Sequence, residues 1–384
     1  MRDVAVIGVG ATKFGQLWDN GLQDLATSAI NLSLNDARIS RDSVQSLYVG
    51  SMSGGLFSSQ EHLGSLFADW AGLKNVPATR VEGACASGGL ALRQAYIDVA
   101  SGMHDVVVVV GAEKMTDISG AAVTRALSTA ASYENEAVFG ATFPGLYAMI
   151  ARMHMEKFGT TEEQMALVAV KNHQNALSNP YAQFHRQITM EDVLRSTKLA
   201  DPIKLLDASP ISDGAAALIL VSKDYAQKNS VEPVWIAGSG CATDTISLHD
   251  RDDMLTLKAT VLAAKQAYQQ AGVGPGDVQI AEVHDCFTIA ELLAIEDLGF
   301  VEKGKSGPFV QAGNTDITGK IPINVSGGLK AKGHPIGATG VMQAVEIVSI
   351  LSGRTKGKCI NAEIGLTHNI GGSGGTAVVH IFKK

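Results

Sequence analysis

The chain has 384 residues, 46% hydrophobic and 18% charged, which excludes a disordered chain and leaves room for a large core. A net charge of -7 and a pI of about 5.8 exclude a basic nucleic-acid footprint, although a local cationic patch for an anionic ligand remains compatible with them. Gly is frequent at 41 residues and Pro sparse at 10, which suits many tight strand-to-helix turns.

Residues 3–10 read as a first strand, 22–37 as an amphipathic helix and 44–51 as a second strand. Residues 78–82 lead to Cys85 and then to a helix ending near residue 100. In VEGACASGGLALRQAYIDVASG, small residues give way abruptly to a helical pattern, so the Cys85 thiol stands at a helix entrance. Unpaired N–H groups and the positive dipole end there favour thiolate over thiol. The run Val106 to Val110 reads as a buried parallel strand, far too short to span a bilayer. From about residue 114 to 205 the texture changes to short helices, Met residues and turn clusters such as Ser178-Asn179-Pro180. This stretch reads as an insertion that covers a site, and residues 211–222 return to a buried core texture.

The second half repeats the first. Residues 232–240 echo the opening strand, 254–271 form a helix, 280–284 a strand, and a further helix starts near Thr288. GHPIGATGVMQAVEIVSILSG is a second helix entrance. Pairing Gln94-Ala95 with Gln343-Ala344 sets an offset of 249 residues, and the same offset pairs Cys85 with His334. A duplicated fold brings such entrances together at its pseudo-two-fold axis. The strand–helix alternation predicts an α/β fold with a mixed or parallel sheet covered on both faces. Residues 1–113 with 206–230 form one half, 114–205 the insertion and 231–384 the other half.

Three further segments carry chemistry. His284 and Cys286 lie two apart at a predicted strand end, so both point to one side as a candidate acid/base pair. His334 lies between Gly-rich turns, and Pro335 suits the first position of a helix. A helix N-terminus pushes the imidazole pKa down, leaving a neutral ring that accepts a thiol proton. The glycines of GLTHNIGGSGGTAVVHIF present backbone N–H groups that can complete an oxyanion hole with the Cys85 amide. Cys85, Cys241, Cys286 and Cys359 show no C-x-x-C spacing, and no metal site is expected. IGVGATKFG carries Lys13 where a dinucleotide fingerprint needs its third Gly, and His154 and Met155 read as packing. With no secretory layout at its start and no peroxisomal address in HIFKK, the chain is expected in the cytoplasm, free of membrane and nucleic acid.

GACASGG, SPISDGAAA, HDCF, SGGLKAKGHPIGATG and HNIGGSGG together make the chain resemble a thiolase, more narrowly the archaeal and sterol-carrier-protein-2 type, essentially end to end. The resemblance implies the thiolase fold, five α/β/α/β/α layers built from two duplicated halves with an inserted loop domain. It implies acetyl-CoA C-acetyltransferase activity, in which Cys85 carries the acyl group and His334 activates it and helps bind the thioester oxygen. Most thiolases have Asn-Glu where this chain has His284-Asp285, and they draw an acid/base Cys from the position of Asn369. Here Cys286 takes the acid/base role and His284 helps bind the enolate-forming oxygen. Gly371 falls at the Gly whose N–H joins that of Cys85 in an oxyanion hole, and Ser209 at the Ser that contacts the pantetheine arm of coenzyme A. The resemblance implies coenzyme A thioesters as substrates with no permanently bound cofactor, and a homodimer or homotetramer. It also implies association with HMG-CoA synthase and a small OB-fold scaffold protein. The alternatives are another condensing enzyme of the same fold, such as a ketoacyl synthase or HMG-CoA synthase, or a non-catalytic subunit of a multi-enzyme complex.

Overall fold

In a computed structural model, the structure describes residues 2–229, 233–355 and 360–384. Its strands are β1 Val4–Ala11, β2 Ser46–Gly50, β3 Ala78–Val81, β4 Val106–Glu113, β5 Lys198–Ala200, β6 Ile203–Lys204, β7 Gly214–Ser222, β8 Val234–Thr243, β9 Ile280–Glu282, β10 Ile364–Gly371 and β11 Thr376–Lys383. Among the described residues, nine are hydrogen-bonded in the order β3-β2-β4-β7-β1-β8-β11-β10-β9. Among the described residues, two pairs, Ala5 with Trp235 and Val6 with Val234, join β1 to β8. Outward from that junction the first half runs β1, β7, β4, β2, β3 and the second β8, β11, β10, β9. Ile323 then bridges Ala281 in β9 where the second half needs a counterpart of β3. The duplication seen in the sequence is therefore a duplication of topology.

Alternation along the strands sorts side chains into separate cores. In β4, Val106, Val108 and Val110 join a core with helix Leu22–Ala37, while Val107 and Val109 join another with helix Ser87–Ser101 and helix Ile336–Leu351. The five-valine run is buried on both faces, which explains its unbroken apolar character. It is parallel to β2 on one side and antiparallel to β7 on the other, so the sheet is mixed rather than purely parallel. Helix Lys258–Ala271 and helix Thr288–Asp297 share a third core with β10 and β11. The two middle helices thus lie between the two sheet halves, with outer helices beyond each half, giving the five layers.

Helix Leu22–Ala37 has the predicted bounds, and most other elements differ by a few residues. The helix expected from 254 starts at Lys258, because Asp253 accepts hydrogen bonds from the Leu255 N–H and the Thr256 hydroxyl and holds a turn there. The strand expected over 280–284 ends at Glu282, and Glu232 of the strand expected over 232–240 lies outside the described residues. Between β4 and β5, helix Phe143–Phe158 and helix Glu162–Ala176 have 16 and 15 residues, longer than the short helices expected. Pro335 is the N-cap residue rather than the first helical residue.

The two middle helices begin at Ser87 and Ile336, an offset of 249 residues, and Gly88 and Gly337 are equivalent positions. They touch: a Cβ on Gly88 would lie 2.6 Å from the Gly337 carbonyl oxygen. A Cβ on Gly337 would lie 2.5 Å from the Gly50 carbonyl oxygen and 2.7 Å from that of Ala112. No side chain fits, so glycine sets how closely the halves approach. Gly337→Ala should lower stability by about 1–3 kcal/mol through overpacking, whereas Gly276→Ala, with nothing within 4 Å of its added Cβ, should be near neutral. Denaturant midpoints of the two variants test this, and equal effects would contradict it.

Candidate active site

Cys85 lies in the short 3-10 turn Ala84–Ala86 that precedes helix Ser87–Ser101. Ala84 has φ of +52°, a left-handed conformation that costs a non-glycine residue free energy. Three hydrogen bonds hold it there: Ala84 N–H donates to Glu82 Oε1 (2.6 Å), Ser87 Oγ donates to the Ala84 carbonyl (2.6 Å), and Gly83 N–H donates to Ser87 Oγ (3.0 Å). The strained turn sets where the thiol emerges.

His334 follows the π-turn Gly328–Lys332. Its backbone N–H donates to Ser212 Oγ (3.0 Å), and its Nδ1 lies 2.7 Å from Thr339 Oγ1. The Thr339 hydroxyl donates to the Pro335 carbonyl (3.0 Å), so Oγ1 accepts from a ring N–H on Nδ1. His334 Nε2 therefore carries a lone pair.

His284 and Cys286 lie beyond the end of β9, in the loop before helix Thr288–Asp297, so strand alternation does not place them. Side-chain hydrogen bonds place them instead. Asn369 Nδ2 donates to the Cys85 carbonyl (2.9 Å) and to His284 Nδ1 (3.0 Å). The His284 and His334 rings meet edge-on with centroids 5.0 Å apart. One ligand-type atom each of Cys85, His284 and His334 lies within 4.8 Å of the other two. Residues 249 apart in sequence, with the loop after β9, thus converge at one point.

Such a triplet can also hold a divalent cation. The hydrogen bonds oppose that use. An amide N–H group faces His284 Nδ1, so the neutral ring keeps its proton on Nε2. A cation on Nε2 would require the other tautomer and set a ring N–H against the Asn369 N–H group.

Electrostatics here follow burial. His334 is pushed down to about 3 by burial, and His284 well below its ordinary value by burial and by charge on His334. Both rings are neutral, as expected for His334, but burial rather than a helix end is the cause. Cys85 is pushed up to about 12 by burial, with the Gly372 backbone N–H pulling down and the Glu113 carboxylate pushing up. The thiol is thus raised where a helix entrance was expected to lower it, and removal from water is the largest cause. Cys286 is also raised, by burial foremost, with the Tyr147 hydroxyl lowering it and a charge on Cys85 raising it. The Gly372 backbone N–H reaches the Cys85 thiol, and Gly371, whose added Cβ would lie 2.4 Å from the Gly83 carbonyl oxygen, borders the same turn. Ser209 is half-buried beside Cys286, its N–H donating to the Cys286 carbonyl (2.9 Å). Cys241 lies in β8 away from the cluster, and Cys359 is outside the described residues.

Family models for the thiolase N-terminal domain and the thiolase C-terminal domain-like fold match residues 4–224 and 240–384. The chain belongs to the thiolase family. It is 55% identical to an acetyl-CoA acetyltransferase of Methanothermobacter thermautotrophicus over 100% of both chains. A Methanocaldococcus jannaschii protein of the same name is 48% identical over 99% of each. A benzoylsuccinyl-CoA thiolase subunit of Thauera aromatica is 36% identical, covering 97% of this chain and 95% of its own. Among solved structures, an Ltp2-ChsH2(DUF35) aldolase superposes with a TM-score of 0.86 at 26% identity, covering 99% of this chain and 97% of that one. An acetyl-CoA acetyltransferase of Syntrophomonas wolfei gives 0.76 at 18% identity over 100% and 99%, a likeness of fold.

Several groups of this thiolase escaped sequence reading. Tyr147, from helix Phe143–Phe158, is fully buried with its hydroxyl 3.2 Å from the Gly372 carbonyl and against the Cys286 thiol. Nothing in FPGLYAMIARM marks it. Thr339 was visible only as a member of a motif, and Asn369 only as the residue standing in place of a cysteine. Asp285 of the HDCF segment serves the scaffold: Oδ1 accepts from the Leu329 N–H (2.7 Å), and Oδ2 from the Lys330 N–H (3.2 Å) and Asn172 Nδ2 (2.7 Å). It clamps the turn that carries His334.

Asp285→Ala leaves three buried donors unpaired, and each costs about 1–3 kcal/mol. The variant should lose several kcal/mol in denaturant unfolding and most catalytic activity, and a wild-type midpoint would refute the clamp. The raised Cys85 pKa means that thiolate is scarce at neutral pH and grows with pH. Alkylation of Cys85 by iodoacetamide should thus climb about tenfold per pH unit from pH 7 to 10. A plateau below pH 9 in the mass-resolved rates would show a thiolate resting state instead.

Proposed function

We infer that the chain catalyses the reversible Claisen condensation of two acetyl-CoA molecules to acetoacetyl-CoA and coenzyme A, through an acyl-Cys85 intermediate. The observation that carries this reading is the convergence of Cys85, His284 and His334 within 4.8 Å beside a second buried thiol, Cys286. The full-length likeness to archaeal chains named acetyl-CoA acetyltransferase supports the substrate.

Both thiols rest protonated. His334 Nε2 takes the Cys85 proton as the sulfur attacks the first thioester carbonyl. The tetrahedral oxyanion is held by the N–H groups of Cys85 and Gly371. Its collapse breaks the C–S bond to coenzyme A, and Cys286 protonates the departing thiolate. The enzyme now holds acetyl-Cys85, a Cys286 thiolate and a His334 imidazolium. Cys286 removes an α-proton from the second acetyl-CoA, and the enolate oxygen accepts hydrogen bonds from Nε2–H of His284 and His334. The carbanion attacks the acetyl-Cys85 carbonyl, and the expelled Cys85 thiolate recovers its proton from His334. Each group ends in its starting protonation state, with the α-proton of the second acetyl-CoA replacing the one that Cys286 gave to coenzyme A, and thiolysis is the reverse. The two thiols do different work, which separates this reading from condensing enzymes that use one.

Residues 114–205 act as the loop domain that closes over the acyl pocket between the halves 1–113 with 206–230 and 231–384, and Ser209 contacts the pantetheine arm. A homodimer or homotetramer in the cytoplasm, associated with HMG-CoA synthase and a small OB-fold scaffold protein, completes the proposal. A solved relative pairs Ltp2 with a DUF35 chain, which supports a partnership of this kind. Among the described residues, no helix is long and apolar enough to cross a membrane.

Loss of acetoacetyl-CoA in the presence of coenzyme A tests the reading with wild type, Cys85→Ala and Cys286→Ala. Wild type should turn over, and each variant should fall by at least about a thousandfold. Cys286→Ala should still accept an acetyl group on Cys85, seen as a mass shift. Unimpaired turnover in Cys286→Ala would overturn the assignment of the base.

A further inference from the structure

Asn369 stands where most thiolases carry their acid/base cysteine, and its side chain is used completely. Nδ2 spends one hydrogen on the Cys85 carbonyl (2.9 Å) and the other on His284 Nδ1 (3.0 Å), while Oδ1 accepts the Gly89 N–H (3.0 Å). The carbonyl at one end demands a donor and the N–H at the other demands an acceptor, so the orientation of the amide is determined independently of the histidine. The amide is buried, and it is wedged: Cβ atoms on Gly89 or Gly340 would lie 2.8 and 2.2 Å from Oδ1. It cannot flip without losing two hydrogen bonds.

We propose that Asn369 is a positioning residue that holds His284 with its proton on Nε2, making it an obligate donor to the enolate oxygen, and that ties this donor to the backbone of the nucleophile. Thr339 does the converse for His334, holding a proton on Nδ1 and a lone pair on Nε2. Two imidazoles with centroids 5.0 Å apart thereby start the cycle in opposite tautomers, one donor and one acceptor. Two neutral rings free to choose would populate the wrong combination, in which His284 turns a lone pair toward a developing oxyanion. The inference rests on the reading that His284 contacts the enolate oxygen.

The test compares Asn369→Asp, Asn369→Ala and His284→Ala. Asp has nearly the shape of Asn but presents an acceptor to Nδ1, so it draws the ring proton there and inverts the tautomer. Ala leaves a small cavity and lets the ring choose. Condensation of acetyl-CoA should therefore rank wild type above Ala above Asp, with Asp about a hundredfold below wild type at pH 8. A purely structural role, in which an Asp oxygen set against the Cys85 carbonyl disturbs the nucleophile turn, predicts instead that Asn369→Asp impairs Cys85 acetylation as much as condensation. The pH profile adds a second signature. The carboxylate raises the proton affinity of His284, and an imidazolium again carries a proton on Nε2. The ratio of Asn369→Asp to wild type should thus rise as pH falls from 9 to 6. Acetylation of Cys85, read by mass shift, should persist in all three variants and shows that the fold is intact. A loss of acetylation in both Asn369 variants would assign the residue to the nucleophile turn and overturn the proposal. Asn369→Asp equal to or better than Asn369→Ala, with a flat ratio across pH, would overturn it also, provided that His284→Ala abolishes condensation. Full condensation in His284→Ala would instead refute the role of His284 itself.

Discussion

The site depends on one steric condition: the two middle helices must start within van der Waals contact of each other. Gly88 and Gly337 meet that condition by presenting bare backbone at equivalent positions. Each helix entrance carries a chemically capable residue two positions before its first helical residue, Cys85 in one half and His334 in the other. Bringing the entrances together brings the Cys85 thiol to the His334 imidazole, the nucleophile and base of the proposed reaction. Larger residues at the contact would push the halves apart, and the 4.8 Å cluster would open.

Burial then decides the protonation states. A charge moved from water into this interior is costly unless it is paired or well hydrogen-bonded. The thiols accordingly rest protonated and the imidazoles neutral, and charge appears only as protons move along the reaction path. The buried carboxylates nearby are hydrogen-bonded to the scaffold. Glu113 accepts from the Gly337 N–H (3.0 Å) and the Met52 N–H (2.8 Å), joining the second helix entrance to the loop after β2. Asp285 holds the turn before His334. These carboxylates connect backbone segments rather than reacting groups.

The second thiol and Asn369 are two sides of one rearrangement. In the proposed reaction the cysteine two residues after His284 does the acid/base work, and the position of Asn369 near the end of β10 is released from it. An amide there can bridge the nucleophile turn and the His284 ring, which a thiol is too short and too weak a donor to do. Tyr147 approaches Cys286 from helix Phe143–Phe158, so the stretch between β4 and β5 contributes a group to the site.

Much of this was legible in the chain itself. The five-valine run, the strand–helix alternation and the offset that equates Cys85 with His334 are local or periodic signals. They determined an α/β duplication with two helix entrances, and five short motifs pointed to the chemistry. Tertiary structure alone decided the rest. His284 and Cys286 lie past the end of β9, where alternation has no force and hydrogen bonds to Asn369 and contact with Tyr147 settle their placement. The Cys85 thiol goes up rather than down because desolvation depends on what packs over the site, and no local pattern reports that. The histidine tautomers depend on Asn369 and Thr339, residues whose partners are chosen by the fold and not by their neighbours in sequence.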